Sequence, residues 1–258
     1  MEGAKGYDII GDIAILRFDS KAKSKDKKKI AGEFLKERKN LGAVLEKTEK
    51  IKGKLRIFKT RWLEGGKKTE TIHKENNCLF KIDVSKCYFS PRLSGERLEI
   101  ANKIKKNERV LVMFAGVSPY AIAISKISKA KKIVSIELGR ECCRLGRENV
   151  NLNRAWNVEI LQGDVKRIVP RLKDKFDSVV MPRPQLKESF LKEAFLSVKR
   201  GGRIFYRAFG SEDELAKSIE KIEQEASKRK LKIKILSVKK SGDIAPRVYR
   251  WMIEVRVR

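Results

Sequence analysis

The sequence predicts an α/β protein: a mostly parallel, doubly wound sheet ending in an antiparallel hairpin, preceded by a small mixed α+β domain. Three observations predict it. From about residue 90 onward, strand-like and helix-like runs alternate. The last two strand-like runs, 231–238 and 248–257, follow one another with no helical run between them. Residues 7–84 instead carry short β-branched runs broken by Gly11-Asp12, Gly65-Gly66 and Asn76-Asn77. The expected domains are 1–84 and 85–258.

The small domain begins with YDIIGDIAILRF (7–18), whose Gly-Asp step signals a hairpin. DSKAKSKDKKKI (19–30) is almost wholly polar, either a loop or the first turn of a helix that continues through Ala31, Phe34 and Leu35. LGAVLEKT (41–48), LRIFKTRWLEG (55–65), KTETIHKENN (68–77) and CLFKIDVS (78–85) read as further, mainly antiparallel strands. The single histidine, His73, is read as structural, because no second histidine exists for a metal or a triad.

In the second domain RVLVMF (109–114) precedes a helix from Pro119, KIVSIE (132–137) a helix over 140–152, and VEILQ (158–162) a short helix near 165–172. FDSVVM (176–181) precedes a helix over 186–199, and GRIFYRAF (202–209) a helix over 212–229. LKIKILSV and VYRWMIEVRV close the chain. That ending is typical of class I methyltransferases and unlike dinucleotide dehydrogenases.

Charge narrows the partners. Lys and Arg number 62 against 33 Asp and Glu, so the net charge is +29. A surplus of that size favours a polyanion, since neutralising phosphates releases counterions. Nucleic acid is favoured over a membrane surface, because no basic amphipathic helix with an aromatic face is present. The alternative is a surface adapted to heat or salt. Lys27-Lys28-Lys29 reads most simply as solvated surface, with phosphate contact the alternative. No run is apolar enough to span a bilayer and no signal peptide is recognised. Cys78, Cys87, Cys142 and Cys143 form no C-x-x-C pair, so free thiols in a reducing compartment, and no metal site, are expected. A cytoplasmic protein follows.

In a doubly wound sheet the ligand sits beyond the C-terminal strand ends. The first such loop is Phe114-Ala115-Gly116-Val117-Ser118-Pro119, where Gly116 lets backbone approach a ligand. Taken alone it is equally an ordinary strand-to-helix turn. The full G-x-G-x-x-G pattern is absent, which disfavours NAD. The second strand ends in Glu137, followed by Leu138, placed to accept hydrogen bonds from two ribose hydroxyls. The third leads into Gly163-Asp164-Val165, whose acid can accept from an adenine amino group. The fourth leads into Met181-Pro182-Arg183-Pro184, a loop stiffened by two prolines where such folds place the target nucleotide.

These residues carry a family resemblance. YFSPRLSGERLEIA (88–101), VLVMFAGVSPYAI (110–122), GDV (163–165), VMPRPQLKESFLKEAF (180–195), GGRIFYRAF (201–209) and APRVYRW (245–251) together resemble the archaeal and eukaryotic tRNA (guanine-N1)-methyltransferases, which act on the purine just 3′ of the anticodon, position 37. YDIIGDIAIL and KTETIHKENNCLFKIDVS resemble the same family's small preceding domain, so the resemblance runs from about residue 7 to the end. Three positions depart from the family pattern: Val112 replaces an acid, Ser118 replaces the second glycine of the turn, and Leu138-Gly139-Arg140 replaces an Asn-Pro pairing.

The resemblance implies a Rossmann-like catalytic domain, S-adenosyl-L-methionine as methyl donor, and the anticodon stem-loop of tRNA as partner of a monomeric enzyme. Cofactor contacts fall on Phe114, Ala115, Gly116, Val117, Glu137, Leu138, Asp164, Val165, Met181 and Pro182. Neutral guanine carries a proton on N1, so methylation needs a base and a cation beside O6. The resemblance assigns the base to Glu96, otherwise a surface acid paired along its helix, and the cation to Arg56, with Arg61 a rival. Arg92, Arg97, Arg183 and Pro184 are expected on the RNA side, and Tyr88 either there or in the core. The additional N-terminal domain that grips the tRNA elbow in many archaeal members is expected to be absent. Two alternatives stay open: the aminocarboxypropyl transferase of the wybutosine pathway, and a tRNA-binding homologue with weak cofactor binding.

Overall fold

A left-handed turn residue between two apolar runs sets the first strands of the chain. β1 (Ala4–Ile10) and β2 (Ile13–Phe18) pair antiparallel about Gly11, whose φ is +56°. The structure, a computed structural model, describes residues 4–48 and 59–258. It divides into two units, the first reaching Ser94 and the second running Gly95–Arg258.

In the first unit α1 (Ser24–Glu37) is the crossover that lets β3 (Ala43–Lys47) pair parallel with β2. β4 (Thr60–Gly65) adds antiparallel to β3. Ala31 and Phe34 of α1 pack on Leu16, Val44 and Leu63, the core the helical spacing foretold. β5 (Glu70–Glu75) and β6 (Cys78–Asp83) form a separate hairpin, closed by Asn76 and Asn77 with φ of 47° and 57°. Two adjacent left-handed residues are what a tight hairpin requires, and asparagine tolerates them.

Two expectations about charge and thiols are corrected here. Lys27 is not a solvated member of its lysine run: it is buried and its Nζ lies 2.7 Å from Glu46 Oε1. Period 3.6 turns this one lysine of the three onto the sheet. Cys78 and Cys143 are free and buried, but Cys87 and Cys142 are disulfide-bonded. Local spacing, the only thing read in the sequence, carries no record of such bonds.

The first unit also extends past the boundary expected at 84. Phe89 packs edge-on against His73 with ring centroids 5.1 Å apart. Arg92 Nε lies 2.7 Å from Asp8 Oδ1, and Asn76 Nδ2 donates to the Ser94 carbonyl at 2.9 Å. His73 is structural as expected, its Nδ1 accepting the Gly11 N–H at 3.1 Å.

The second unit opens with α2 (Ser94–Lys103) and then builds a seven-stranded sheet. β7 (Arg109–Met113), β8 (Lys132–Glu137), β9 (Val158–Gln162), β10 (Phe176–Met181) and β11 (Val198–Gly210) are parallel. β13 (Val248–Val257) inserts antiparallel between β11 and β12 (Ile233–Ala245), giving the order β12-β13-β11-β10-β7-β8-β9. This is the doubly wound sheet with a terminal antiparallel hairpin. The chain winds outward from β7 through β8 to β9, then restarts at β10 on the other side. The crevice between the ends of β7 and β10 is therefore the topological switch point.

Strand alternation assigns the faces. Leu111, Met113, Val134, Ile136, Ile204 and Tyr206 share one core with α5 (Val165–Ile168), α6 (Leu191–Ser197) and α7 (Glu212–Lys228). Ser135, between Val134 and Ile136, points the other way, toward the helix α3 (Pro119–Ile127). α3 and α4 (Arg140–Leu152) pack on β8 and β9.

One helix is shorter than expected. Residues 186–190 are not helical, and α6 begins only at Leu191 after Phe190 with φ of 57°. The guanidinium of Arg183 donates to the carbonyls of Leu186 and Glu188, both at 2.7 Å, and so holds this stretch in an irregular loop.

Gly11 is the position where a side chain costs most in the first unit. A Cβ there would meet Thr71 Oγ1 and the Ile72 carbonyl, on a backbone with φ +56°. Gly11→Ala is expected to lower stability by about 2–4 kcal/mol, from strain plus steric conflict with backbone. Denaturant unfolding checks this; a midpoint within error of the parent would refute it.

Candidate active site

The loop after β7 is wound by left-handed residues at every second position: Phe114, Gly116 and Ser118 have φ of 56°, 57° and 65°. Such alternation turns successive N–H groups toward one side of the chain. The Ala115 N–H goes to the Ile136 carbonyl at 3.0 Å, which docks the turn onto β8. Phe114 pays steric strain for its conformation and packs edge-on against Phe190, centroids 4.8 Å apart. That contact joins the loops after β7 and β10 across the switch point.

Ser118 explains its own departure from glycine. It is fully buried in the left-handed region that favours glycine, and its Oγ lies 3.0 Å from the Ser135 Oγ. The hydroxyl pair offsets part of the backbone cost. Gly146 of α4 makes room for it: a Cβ there would stand 3.2 Å from Ser118 Oγ. Val112, at the other departure, is fully buried in β7 between Ser135 and Val180.

Glu137 ties two loops together. Its Oε2 accepts the Gly116 N–H and its Oε1 the Gly139 N–H, each at 2.7 Å. Burial pushes its carboxyl above the usual glutamate value, against the pull of these N–H groups. Each oxygen keeps a lone pair for a further donor such as a ribose hydroxyl. Leu138 beside it is exposed. Asp164 caps α5, one oxygen accepting the Lys166 N–H at 2.9 Å, while Val165 is buried in the core.

On the opposite face of the sheet a buried polar triangle forms. Glu96 of α2, Tyr120 of α3 and Arg207 of β11 converge: Arg207 donates to Glu96 Oε1 and to the Tyr120 hydroxyl, and Tyr120 donates to the same Oε1. Both charged side chains are about as buried as the core. Burial raises the Glu96 carboxyl, but the Arg207 charge and the hydrogen bonds from Tyr120 and Arg207 outweigh it and hold it below the usual glutamate range. Glu96 Oε2 is buried with no hydrogen-bond partner. Arg207 Nη1 also donates to the Pro182 carbonyl at 3.3 Å. The triangle therefore touches the helix that follows the glycine turn and the loop that follows β10.

The remaining expected residues distribute unevenly. Met181 is fully buried and Pro184 buried, with Pro182 partly exposed between them. Arg183 is buried 5.5 Å from the Tyr206 ring centroid, its charge spent on backbone carbonyls rather than on solvent, and desolvation depresses its pKa. Arg97 is buried too, 5.6 Å from the Tyr120 ring centroid. Arg92 is exposed and pairs with Asp8, while Tyr88 is half-buried. Arg61, the rival to Arg56, is held by Glu46 at 2.6 Å. Arg56 itself lies outside the described residues. Tyr120 and Arg207 were not singled out from the sequence. The signal was available for Arg207: it shares the register of Arg203 and Phe205 in a run that is otherwise core.

Similarity to known proteins agrees with this geometry. Residues 71–235 match the TRM5/TYW2 methyltransferase domain, and residues 2–69 match the TYW2 N-terminal domain. The chain belongs to the TRM5/TYW2 methyltransferase family. It is 35% identical to the tRNA (guanine(37)-N(1))-methyltransferase Trm5b of Pyrococcus abyssi over 97% of this chain and 74% of that protein. The crystal structure of that Trm5b superposes with a TM-score of 0.89, covering 98% and 75% of the two chains. Methanocaldococcus jannaschii TYW2, solved with AdoMet, is 29% identical with a TM-score of 0.77 over 98% of this chain and 99% of that one. The TRM5/TYW2 fold is an S-adenosylmethionine-dependent one, so the switch-point crevice is where this cofactor belongs, and the N–H-rich turn with an adjacent carboxylate fits it.

Assigning the ribose hydroxyls to Glu137 sets an expected outcome. Glu137→Gln replaces one acceptor by a donor facing a backbone N–H, and should weaken S-adenosylmethionine about 10- to 100-fold, as for a lost charged hydrogen bond. Calorimetric titration measures it, with a thermal melt to confirm folding. Unchanged affinity would remove Glu137 from the cofactor site.

Proposed function

We propose that this chain transfers a methyl group from S-adenosylmethionine to N1 of the guanine at position 37 of tRNA. The observation that carries the reading is the Glu96 carboxylate. It is held ionised, keeps one oxygen without a partner, and is linked through Tyr120 and Arg207 to the cofactor-turn helix and the fourth-strand loop. Named relatives with this activity, Trm5b of P. abyssi among them, support it.

The chemistry follows from those groups. Bound S-adenosylmethionine supplies an electrophilic methyl on a sulfonium. Glu96 takes the N1 proton on Oε2, leaving negative charge shared by N1 and O6; N1 would then accept the methyl as its carbon–sulfur bond breaks, with the neutral thioether as leaving group. Arg56 is assigned to steady that charge, on family resemblance alone. Gly116, Glu137 and Asp164 hold and orient the donor; the exposed Arg92 and half-buried Tyr88 suit the RNA side, whereas Arg97 and Arg183 are buried and position the protein's own groups. Positioning supplies much of the rate in such a displacement. The surplus of basic residues supports a monomer gripping the anticodon stem-loop through phosphates, and a cytoplasmic place of work follows from a tRNA substrate.

A second reading has one observation in its favour: the N-terminal segment matches the TYW2 domain. It is transfer of an aminocarboxypropyl group from the same cofactor.

Mass spectrometry of tRNA treated with enzyme and S-adenosylmethionine separates the two. A methyl-sized gain on guanine-37, abolished in an adenine-37 transcript and reduced at least about 100-fold by Glu96→Ala, is expected for loss of a general base. A gain of the heavier group establishes the second reading, and no gain on any tRNA refutes both.

A further inference from the structure

The geometry points to Arg207, with Tyr120, as the positioning device of Glu96: together they take one carboxylate oxygen, Oε1, and leave Oε2 as the proton acceptor. The inference rests on the reading above and names residues that the family motifs do not single out.

The case begins with cost. Burying a guanidinium and a carboxylate removes both from water, and apolar residues of the same volume are often no less stable. Arg207 and Glu96 are 5% and 6% exposed, so stability alone is a poor reason for this pair. Its geometry is also asymmetric. Arg207 and Tyr120 both donate to Oε1, and Arg207 donates to Tyr120, so the three groups close a triangle on one oxygen. A structural site engages both oxygens, as at Glu46, where Lys27 takes Oε1 and two nitrogens of Arg61 take Oε2. Here Oε2 is left buried and without a partner. A buried acceptor in that state costs free energy until a donor arrives.

The triangle is rigid for reasons found in each element. Arg207 lies past the last residue that β11 shares with β10, Tyr206, and is pinned opposite Met252 of β13. Its side chain follows Arg203 and Phe205 onto the face of α2 and α3. Tyr120 sits in the first turn of α3, directly after the cofactor turn. The charged groups around it are few: Arg207 from β11 and Arg97 from α2, each over its ring at 5.7 and 5.6 Å. Ser241 from β12 adds a hydroxyl near Glu96. Burial and the Glu96 charge keep the Tyr120 phenol protonated, so it acts as a fixed donor and not as a second base.

The consequence concerns pH. A buried glutamate with no cation beside it is held protonated by desolvation and cannot accept a proton. Arg207 reverses this: it trades some basicity for an ionised, oriented carboxylate at neutral pH. Removing Arg207 should raise the Glu96 carboxyl, so that activity on the acid side is lost at higher pH.

The test compares single-turnover methyl transfer against pH for the parent, Arg207→Gln, Arg207→Lys and Tyr120→Phe. In parallel, 13C-carboxyl NMR titrates Glu96 in the free enzyme, assigned by its loss in Glu96→Gln. Arg207→Gln should slow transfer at least about 10-fold at neutral pH and move the acid limb and the Glu96 titration up by about one unit or more, as for removal of an adjacent opposite charge. The KM values for tRNA and S-adenosylmethionine should change less than about threefold, because ground-state binding is untouched. Arg207→Lys should restore most of the rate and the limb. Tyr120→Phe, which removes only a hydroxyl, should shift both in the same direction by less, and keeps the test decisive if Arg207→Gln does not fold. An acid limb and a Glu96 titration that stay in place in every folded variant overturn the role of Arg207. A parent enzyme that titrates as described but transfers no group overturns instead the reading on which it rests.

Discussion

The carboxylate of Glu137 is the constraint on which the cofactor end of the sheet depends. One of its oxygens holds the loop after β7 through Gly116, and the other holds the start of α4 through Gly139. Two parallel strands end side by side, and a single half-buried acid fixes how the chain leaves both. Everything nearby accommodates that bridge. Phe114 and Ser118 take left-handed conformations so that the Gly116 N–H can face Glu137, and Gly146 stays small so that Ser118 fits. The hydroxyls of Ser118 and Ser135 satisfy one another in the space that results. A glycine at 118 would relieve the backbone and leave Ser135 unpaired. The serine is thus a local solution and not a defect in the turn.

The two faces of the sheet divide the labour. One carries the continuous apolar core beneath α5, α6 and α7. The other carries charge in depth: Arg203 lies 2.9 Å from Glu108, Lys103 lies 2.7 Å from Glu254, and beyond them stand Arg207 and Glu96. Arg203 and Arg207 stand on one face of β11, Arg207 nearer its tip, and the acids reach them from α2, β13 and the segment before β7. Near the start every acid is paired or shared, as a buried ionic network must be to avoid an uncompensated charge. Only at the tip does an acceptor remain open. A network otherwise closed that opens at the switch-point end is consistent with catalysis at that end.

Legibility in the sequence followed from the physics of each feature. Strands β8 and β10 were bounded correctly because parallel strands buried on both faces read as apolar runs between turn residues. The glycine turn, Glu137 and Asp164 were singled out because the fold dictates where ligands sit. Glu96 was singled out only through resemblance; as a sequence feature it is one acid on a polar helix. Residues 186–190 were misread as helix because their order comes from Arg183 donating to backbone carbonyls, which no periodicity encodes. Arg207 escaped for a similar reason: its meaning lies in Glu96, 111 residues earlier in the chain. Apolar patterns are local and therefore legible, whereas polar partnerships are made by the fold.

The same division accounts for the charge of the molecule. Acids are the scarcer group, 33 against 62 bases, and several of the acids are buried: Glu46, Asp83, Glu96, Glu193 and Glu254. Bases are buried beside them, among the described residues Lys27, Arg97, Arg183, Arg203 and Arg207, so the interior is charge-balanced and the surface keeps the whole surplus of the composition. A chain of this charge repels itself, and the repulsion is relieved when a polyanion neutralises the surface. The interior chemistry that orders Glu96 is thus matched charge for charge, and the positive surplus is left outside, where phosphates arrive.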